Sequence, residues 1–204
     1  KKNKKYNLKI IEPDGKFVKK LRLFKPDLVL NLLHGRYGED GYIQSILESE
    51  KVKYTHSGVK SSAIAIDKEL SKKIFIKNNI LTPKYIKFLF KKNIIKTNII
   101  KKIKKKLDFP VVVKPINEGS SVNVYICNKS NFIKNLFKLQ SYGEVLIEKF
   151  IPGREIQVAI FGRQKLGAIE LKPKRKFYDY EAKYNSNAKT EHIIPVKISK
   201  KNYN

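Results

Sequence analysis

Val111-Val112-Val113-Lys114-Pro115 runs directly into Glu118-Gly119-Ser120-Ser121, which sets a lysine at the end of an apolar strand and a turn of small residues just beyond it. Backbone N–H groups and hydroxyls in such a turn can close on phosphate oxygens while the lysine supplies a point charge. The same spacing also describes a plain hairpin carrying a surface lysine, so by itself it leaves both readings open. A second stretch, His34-Gly35-Arg36-Tyr37-Gly38-Glu39-Asp40-Gly41, follows the apolar run Leu28-Val29-Leu30-Asn31-Leu32-Leu33. Strand, glycine loop and helix make an α/β unit, in which ligands sit beyond the carboxyl end of the strand. His34 stands at that end, where a histidine serves either structure or a substrate.

The elements that must hold these residues can be read from hydrophobic spacing. Leu28–Leu33 is predicted as a buried strand of the parallel-sheet kind, because the run is continuously apolar. Ile43, Ile46 and Leu47 predict a helix after the glycine loop. A further helix is predicted over Ser62–Asn78, with Ile66, Leu70, Ile74 and Phe75 on one face. Ile95, Ile99, Ile103 and Leu107 recur every fourth residue and predict an amphipathic helix over Asn93–Leu107, either solvated or lying on a membrane surface. Strands follow at Val111–Lys114, Val122–Ile126, Val145–Phe150, Ile156–Phe161 and Lys165–Leu171, with a helix at Asn131–Leu139. Lys172–His192 is polar, aromatic and loop-like, and long loops in compact domains are usually functional or disordered.

Composition narrows the classes. The chain has 204 residues, 41% of them hydrophobic, enough for a core. A net charge of +27 raises nucleic acid or an anionic membrane as a partner. Against that, arginine occurs only at positions 22, 36, 154, 163 and 175, and lysine is spread along the whole length. Base reading favours arginine, so the charge reads as a compositional bias over an ordinary enzyme, with no nucleic acid as partner. Cys127 is the single cysteine, which leaves no intramolecular disulfide and fits a reducing, cytoplasmic setting. No apolar run approaches spanning length, so no membrane insertion is expected. The chain begins at Lys1 and contains no methionine, which is read as the mark of a fragment.

The phosphate-type turn and four other blocks together resemble the D-alanine–D-alanine ligases of the ATP-grasp class. The blocks are Leu33–Gly41, Tyr54-Thr55-His56-Ser57-Gly58-Val59, Val111–Val122, Val145-Leu146-Ile147-Glu148-Lys149 and Phe177-Tyr178-Asp179-Tyr180-Glu181-Ala182-Lys183-Tyr184, in the family's order. The resemblance runs from about Pro26 to Pro195. It implies that Lys68, Lys114 and Lys183 hold ATP phosphates, with Ser120 and Ser121 in a loop that covers them. Glu148, Lys149 and Ile151 match the segment lining the adenine pocket, and Glu155 the carboxylate that accepts from the ribose hydroxyls. His34 matches the histidine near the substrate carboxylate. Tyr184 and Ser120 match two members of a hydrogen-bonded set that closes the loop over the first D-alanine, and Tyr178 and Tyr180 serve either that loop or its packing. A tyrosine at position 184 goes, in such ligases, with dipeptide rather than depsipeptide formation.

Two positions depart from the family pattern: His56 and Asn123 stand where glycine is usual. Both residue types tolerate left-handed backbone angles better than most. The family's amino-terminal Gly-Gly-x-Ser-x-Glu segment has no counterpart before Pro26, and the block with the magnesium ligands would lie beyond Asn204, so no metal site is expected within the chain. The implied fold is α/β, ATP-grasp, with a partial Rossmann-like amino-terminal substrate domain at 1–66, a central ATP-grasp domain at 67–150 and a truncated carboxy-terminal domain with the substrate-covering loop at 151–204. The implied activity is ATP-dependent ligation of two D-alanine molecules through an acyl phosphate, for peptidoglycan precursor synthesis, with ATP and Mg2+ (or Mn2+) and a homodimer as the usual assembly. The alternatives are a D-alanine–D-lactate type of ATP-grasp ligase and a basic nucleic-acid-binding module.

Overall fold

The computed structural model describes residues 6–90, 96–174, 185 and 189–199. It divides into two compact units, Lys1–Ile64 and Ala65–Asn204.

The first unit holds helices α1 (Phe17–Phe24) and α2 (Tyr42–Ser49) and most of α3 (Val59–Ile66). Phe17 and Leu21 from α1 and Ile43 and Leu47 from α2 form its core, with Val29, Leu33 and Tyr54 packed against them. The strand predicted over Leu28–Leu33 is not formed. A single parallel bridge joins Val29 to Tyr54, with Val29 N donating to Lys53 O at 2.8 Å and Thr55 N to Val29 O at 3.0 Å. Burial alternates along the run: Leu28, Leu30 and Leu32 are exposed, while Val29, Asn31 and Leu33 turn inward. A strand covered on both faces needs a layer on each, and the described residues supply one. Asn31 also leaves the ladder pattern, because its side chain accepts from Leu33 N at 3.0 Å and donates to Gly38 O at 2.9 Å. Gln44 donates to the same carbonyl at 2.8 Å. Gly38 has to be glycine there, since a Cβ would lie 2.3 Å from that of Leu33.

In the second unit, α4 (Lys68–Lys77) starts at an N-cap, Asp67, whose Oδ1 accepts from Leu70 N at 2.9 Å. The single helix predicted over Ser62–Asn78 is therefore two, parted by the extended backbone of Asp67 (φ −81°, ψ 103°). An aspartate satisfies the orphan amides of a new first turn, which makes the break favourable there. Strand β1 (Tyr85–Leu89), helix α5 (Lys96–Lys106), strands β2 (Val111–Pro115) and β3 (Tyr125–Cys127), helix α6 (Phe132–Lys138) and strand β4 (Glu144–Lys149) complete the first sheet and its cover. The sheet is antiparallel with order β1-β4-β2-β3. The predicted strand Val122–Ile126 starts later, because Val122 N closes a turn on Gly119 O at 3.0 Å and Asn123 is left-handed (φ 55°).

Strand alternation sorts the sheet into two faces. Val111, Val113, Val145 and Ile147 face α5 and α6 and build the core with Ile99, Ile103, Phe132 and Leu136. The apolar side of α5 is thus spent in the core and its exposed lysines form a solvated face, the first of the two readings of that amphipathic pattern. The opposite face carries Tyr85, Lys87, Lys114 and Glu148, and α4 meets it with charged residues: Glu69 lies 3.2 Å from Lys87 and Lys72 lies 2.8 Å from Glu148. The helix is consequently turned the other way from the prediction, with Leu70, Ile74 and Phe75 exposed and Lys72 buried. Strands β5 (Glu155–Phe161), β6 (Gln164–Lys172) and β7 (Glu191–Ile193) form a second antiparallel sheet. Lys172 and His192, placed in the long loop by sequence, lie in β6 and β7; residues 175–184 and 186–188 between them are outside the described residues.

Candidate nucleotide site

The polar face of the first sheet gathers three lysines around one carboxylate. In the β2–β4 register Val112 pairs with Glu148 and Lys114 with Leu146, so Lys114 and Glu148 are diagonal neighbours on one face. Lys114 Nζ donates to Glu148 Oε1. The second carboxylate oxygen, Oε2, lies 2.8 Å from Lys72 Nζ in ion-pair contact, yet it is buried and accepts no well-directed hydrogen bond. Lys72 spends its directed bonds elsewhere, on Thr82 Oγ1 at 2.8 Å and Pro83 O at 3.0 Å, and sits 5.3 Å from the centre of the Tyr85 ring.

Lys68, the first residue of α4, reaches the segment after β2. Its Nζ donates to Ile116 O at 3.1 Å and to Glu118 O, and its N–H donates to Ile116 O at 3.2 Å. Burial, and then the nearby charge of Lys114, push the Lys68 ammonium down from 10.5 to about 8. A cation that is desolvated beside another cation is a group whose charged form a bound polyanion would restore. The turn that begins at Glu118 is strained: Ser120, Ser121 and Asn123 all have positive φ (49°, 60° and 55°). Backbone held in such regions costs of order 1–3 kcal/mol per residue and clusters where ligands are clamped. His56 (φ 94°) and Asn123, the two positions where the resemblance implies glycine, both have positive φ.

The structure thus brings Lys68, Lys114 and Glu148 together and sets Ser120 and Ser121 on the turn that follows them. Lys149 points to the opposite face of β4, where its Nζ donates to Asp108 O at 3.3 Å and Phe109 O at 3.4 Å, so its side chain is not part of the cluster. Ile151 and Glu155 are exposed, the first just past β4 and the second at the start of β5. His34 is exposed and belongs to the first unit, after Leu33. Lys183 and Tyr184, with Tyr178 and Tyr180, lie outside the described residues. Lys72 was missed by sequence reading. The signal was present in its spacing, since residues four apart share one helix face and Lys72 follows Lys68 by four. Among the described residues no group of three or more His, Cys, Asp or Glu side chains gathers as a metal site. Nor, among them, is any helix long and apolar enough to cross a membrane.

Similarity to known proteins agrees with this geometry. Residues 74–204 match the family model described as D-ala D-ala ligase C-terminus. The chain is 68% identical over 197 residues to the D-alanine–D-alanine ligase of Pelagibacter ubique (strain HTCC1062), which covers 97% of this chain and 64% of that protein. Among solved structures it is similar to the D-alanine–D-alanine ligase from Bacillus anthracis complexed with ATP, with a TM-score of 0.74 and 30% identity over 97% of this chain and 62% of that one. A D-Ala:D-Ser ligase from Enterococcus faecalis is similar with a TM-score of 0.68 and 27% identity, over 86% and 51% of the respective chains. The chain therefore spans between 51% and 64% of the length of these relatives.

Proposed function

We propose, since this chain belongs to the D-alanine–D-alanine ligase family, that the whole protein joins two D-alanine molecules at the expense of ATP, in the cytoplasm, for peptidoglycan precursor synthesis. The fold is α/β, of the ATP-grasp class. The observation that carries the reading is the pair of cations, Lys68 and Lys114, held where β2 gives way to the strained Ser120–Ser121 turn. The residues suit a nucleotide in a second respect: the buried Oε2 of Glu148 lacks a directed donor, and the amino group of adenine is one.

In this reading the three-part division at 1–66, 67–150 and 151–204 separates a substrate domain from two lobes that enclose ATP. Lys68, Lys114 and Lys183 hold the phosphates, and backbone and hydroxyls at Ser120 and Ser121 close on them. Glu148 accepts from the base, while Lys149, whose side chain is engaged elsewhere, contributes with Ile151 through its place in the segment beside the base. Glu155 accepts from the ribose. His34 meets the carboxylate of the first D-alanine, and Tyr184 with Ser120 closes the loop over it. That carboxylate attacks the γ-phosphoryl group, ADP leaves, and an acyl phosphate results. The amine of the second D-alanine then attacks the acyl carbon, phosphate departs with the C–O electrons, and the amine gives up a proton. Charge grows first on the phosphoryl oxygens and then on the tetrahedral oxyanion, which is where fixed lysines lower the barrier.

The test is a coupled assay of the whole protein with ATP, magnesium and D-alanine, reading ADP formation together with the dipeptide by mass spectrometry. D-Serine and D-lactate are offered beside D-alanine, because similarity to a D-Ala:D-Ser ligase makes the second substrate the variable to compare. ADP formation that does not depend on D-alanine, or a product without D-alanine, would overturn the assignment.

The lowered pKa of Lys68 gives a second expected result. In the free protein Lys68 loses its proton as pH rises through about 8, whereas phosphate oxygens beside it favour the charged form. Nucleotide binding should therefore take up a proton at about pH 9 and much less at about pH 7, and affinity should fall as pH rises through that window. Calorimetry in buffers of different ionisation enthalpy reads the proton count directly. A count that is zero at both values, or is unchanged by Lys68→Met, rules Lys68 out as the group responsible.

A further inference from the structure

We propose that Lys72 is a positioning residue for nucleotide binding: it is the fixed counterion of Glu148, and Lys114 is the exchangeable one. The proposal rests on the nucleotide reading above and assigns a part to a residue that reading leaves unused. Two cations meet the same carboxylate, one on each oxygen, but they are held differently. The side chain of Lys72 is 6% exposed and that of Lys114 is 18% exposed. Lys72 is tied to Thr82 Oγ1 and Pro83 O, neutral acceptors in the segment that leads into β1. Lys114 lies instead between the attraction of Glu148 and the repulsion of Lys68, whose ammonium feels its charge.

A polyphosphate that enters beside Lys68 draws on Lys114. Glu148 is 7% exposed, and a carboxylate at that depth cannot be left without a counter-charge. Lys72 meets the need. It stays on Oε2 when Lys114 turns to phosphate, so Glu148 keeps a counter-cation and stays in place to accept from the base. Without Lys72, nucleotide binding has to strip the buried carboxylate of its last cation. The charged and titratable groups around Glu148 are Lys72 and Lys68 from the α4 side, Lys114 from β2 and Tyr85 directly opposite on β1.

The experiment measures ADP affinity of the whole protein and of the Lys72→Met, Glu148→Gln and doubly substituted forms by calorimetry. Lys72→Met is expected to weaken ADP by roughly 10- to 100-fold near neutral pH, because the buried carboxylate is left without a cation when Lys114 turns to phosphate. In the Glu148→Gln background, adding Lys72→Met should change ADP affinity by less than about twofold, since the neutral side chain makes no such demand. A purely structural lysine would instead weaken binding equally in both backgrounds. Equal losses in the two backgrounds overturn the proposal, as does ADP binding that Lys72→Met leaves untouched. If Lys72→Met does not fold, the comparison of Glu148→Gln with the double form decides alone, and a difference above about fivefold overturns the proposal. Failure of the parent protein to bind ADP overturns the nucleotide reading itself, and this inference with it.

Discussion

Glu148→Ala is expected to cost the protein about 3–5 kcal/mol of stability, the usual consequence of removing one partner from a buried ion pair. The carboxylate is 7% exposed and answers two lysines at once, so its loss leaves Lys72, 5% exposed, with only Thr82, Pro83 and the face of Tyr85. An ammonium left there is a buried charge without its counter-ion, which is costly. Set against a typical total of roughly 5–15 kcal/mol, such a loss moves the unfolding midpoint far enough to measure with ease. The sign can be checked from the other side. Adding Lys72→Met to Glu148→Ala removes the stranded charge and should recover most of the loss, because an apolar replacement of a buried pair is often neutral or better. Urea unfolding of the parent, the single and the double forms tests this. A single-site loss below about 1 kcal/mol would mean that the cluster is effectively solvated, in the range of surface ion pairs.

The sequence made some of this cluster legible and hid the rest, for reasons that lie in particular residues. Lys114, Ser120 and Ser121 could be picked out because their motif carries local geometry, a lysine at a strand end and a small-residue turn, whereas Lys68 and Glu148 came only from the resemblance to a ligase family. Strand positions held to within a few residues for β2, β4, β5 and β6, since short apolar runs bounded by turns fix them. Periodicity says which residues share a face, but not which surface that face meets. Leu70, Ile74 and Phe75 do share one side of α4, yet the sheet offers α4 a polar face of Lys87, Lys114 and Glu148, and the charged side of the helix turned to it. The stripe also ran unbroken across Asp67, which concealed a helix start that the residue type itself announces. Leu28–Leu33 failed for a related reason: an apolar run declares a wish for burial on both sides, and only the surrounding elements decide whether both are supplied. Lys72 was the costliest omission. A lysine is read as solvated by default, and only contacts with Glu148 and Thr82, remote in sequence, show that it is buried.

Lys114→Ala is expected to weaken ATP binding by about 1.5–3 kcal/mol, the range for a hydrogen bond to a charged group, which is roughly 10- to 150-fold in Kd. The geometry predicts that this loss falls on binding and not on folding. Removing Lys114 leaves Glu148 with Lys72, so the buried carboxylate keeps a cation and the unfolding midpoint should shift by less than Glu148→Ala shifts it. It also removes a positive neighbour of Lys68, whose pKa should rise from about 8 toward its ordinary value; proton uptake on binding at about pH 9 should then shrink. In so basic a chain the control matters as much as the variant. Lys101→Ala makes the same change of charge on the exposed side of α5, across the sheet from Lys114, and should leave ATP affinity within about twofold at physiological salt, because salt screens exposed charges. Equal losses from Lys101→Ala and Lys114→Ala would mean that ATP responds to overall charge alone. An unchanged affinity in Lys114→Ala would remove this residue from the site, whatever its place on β2.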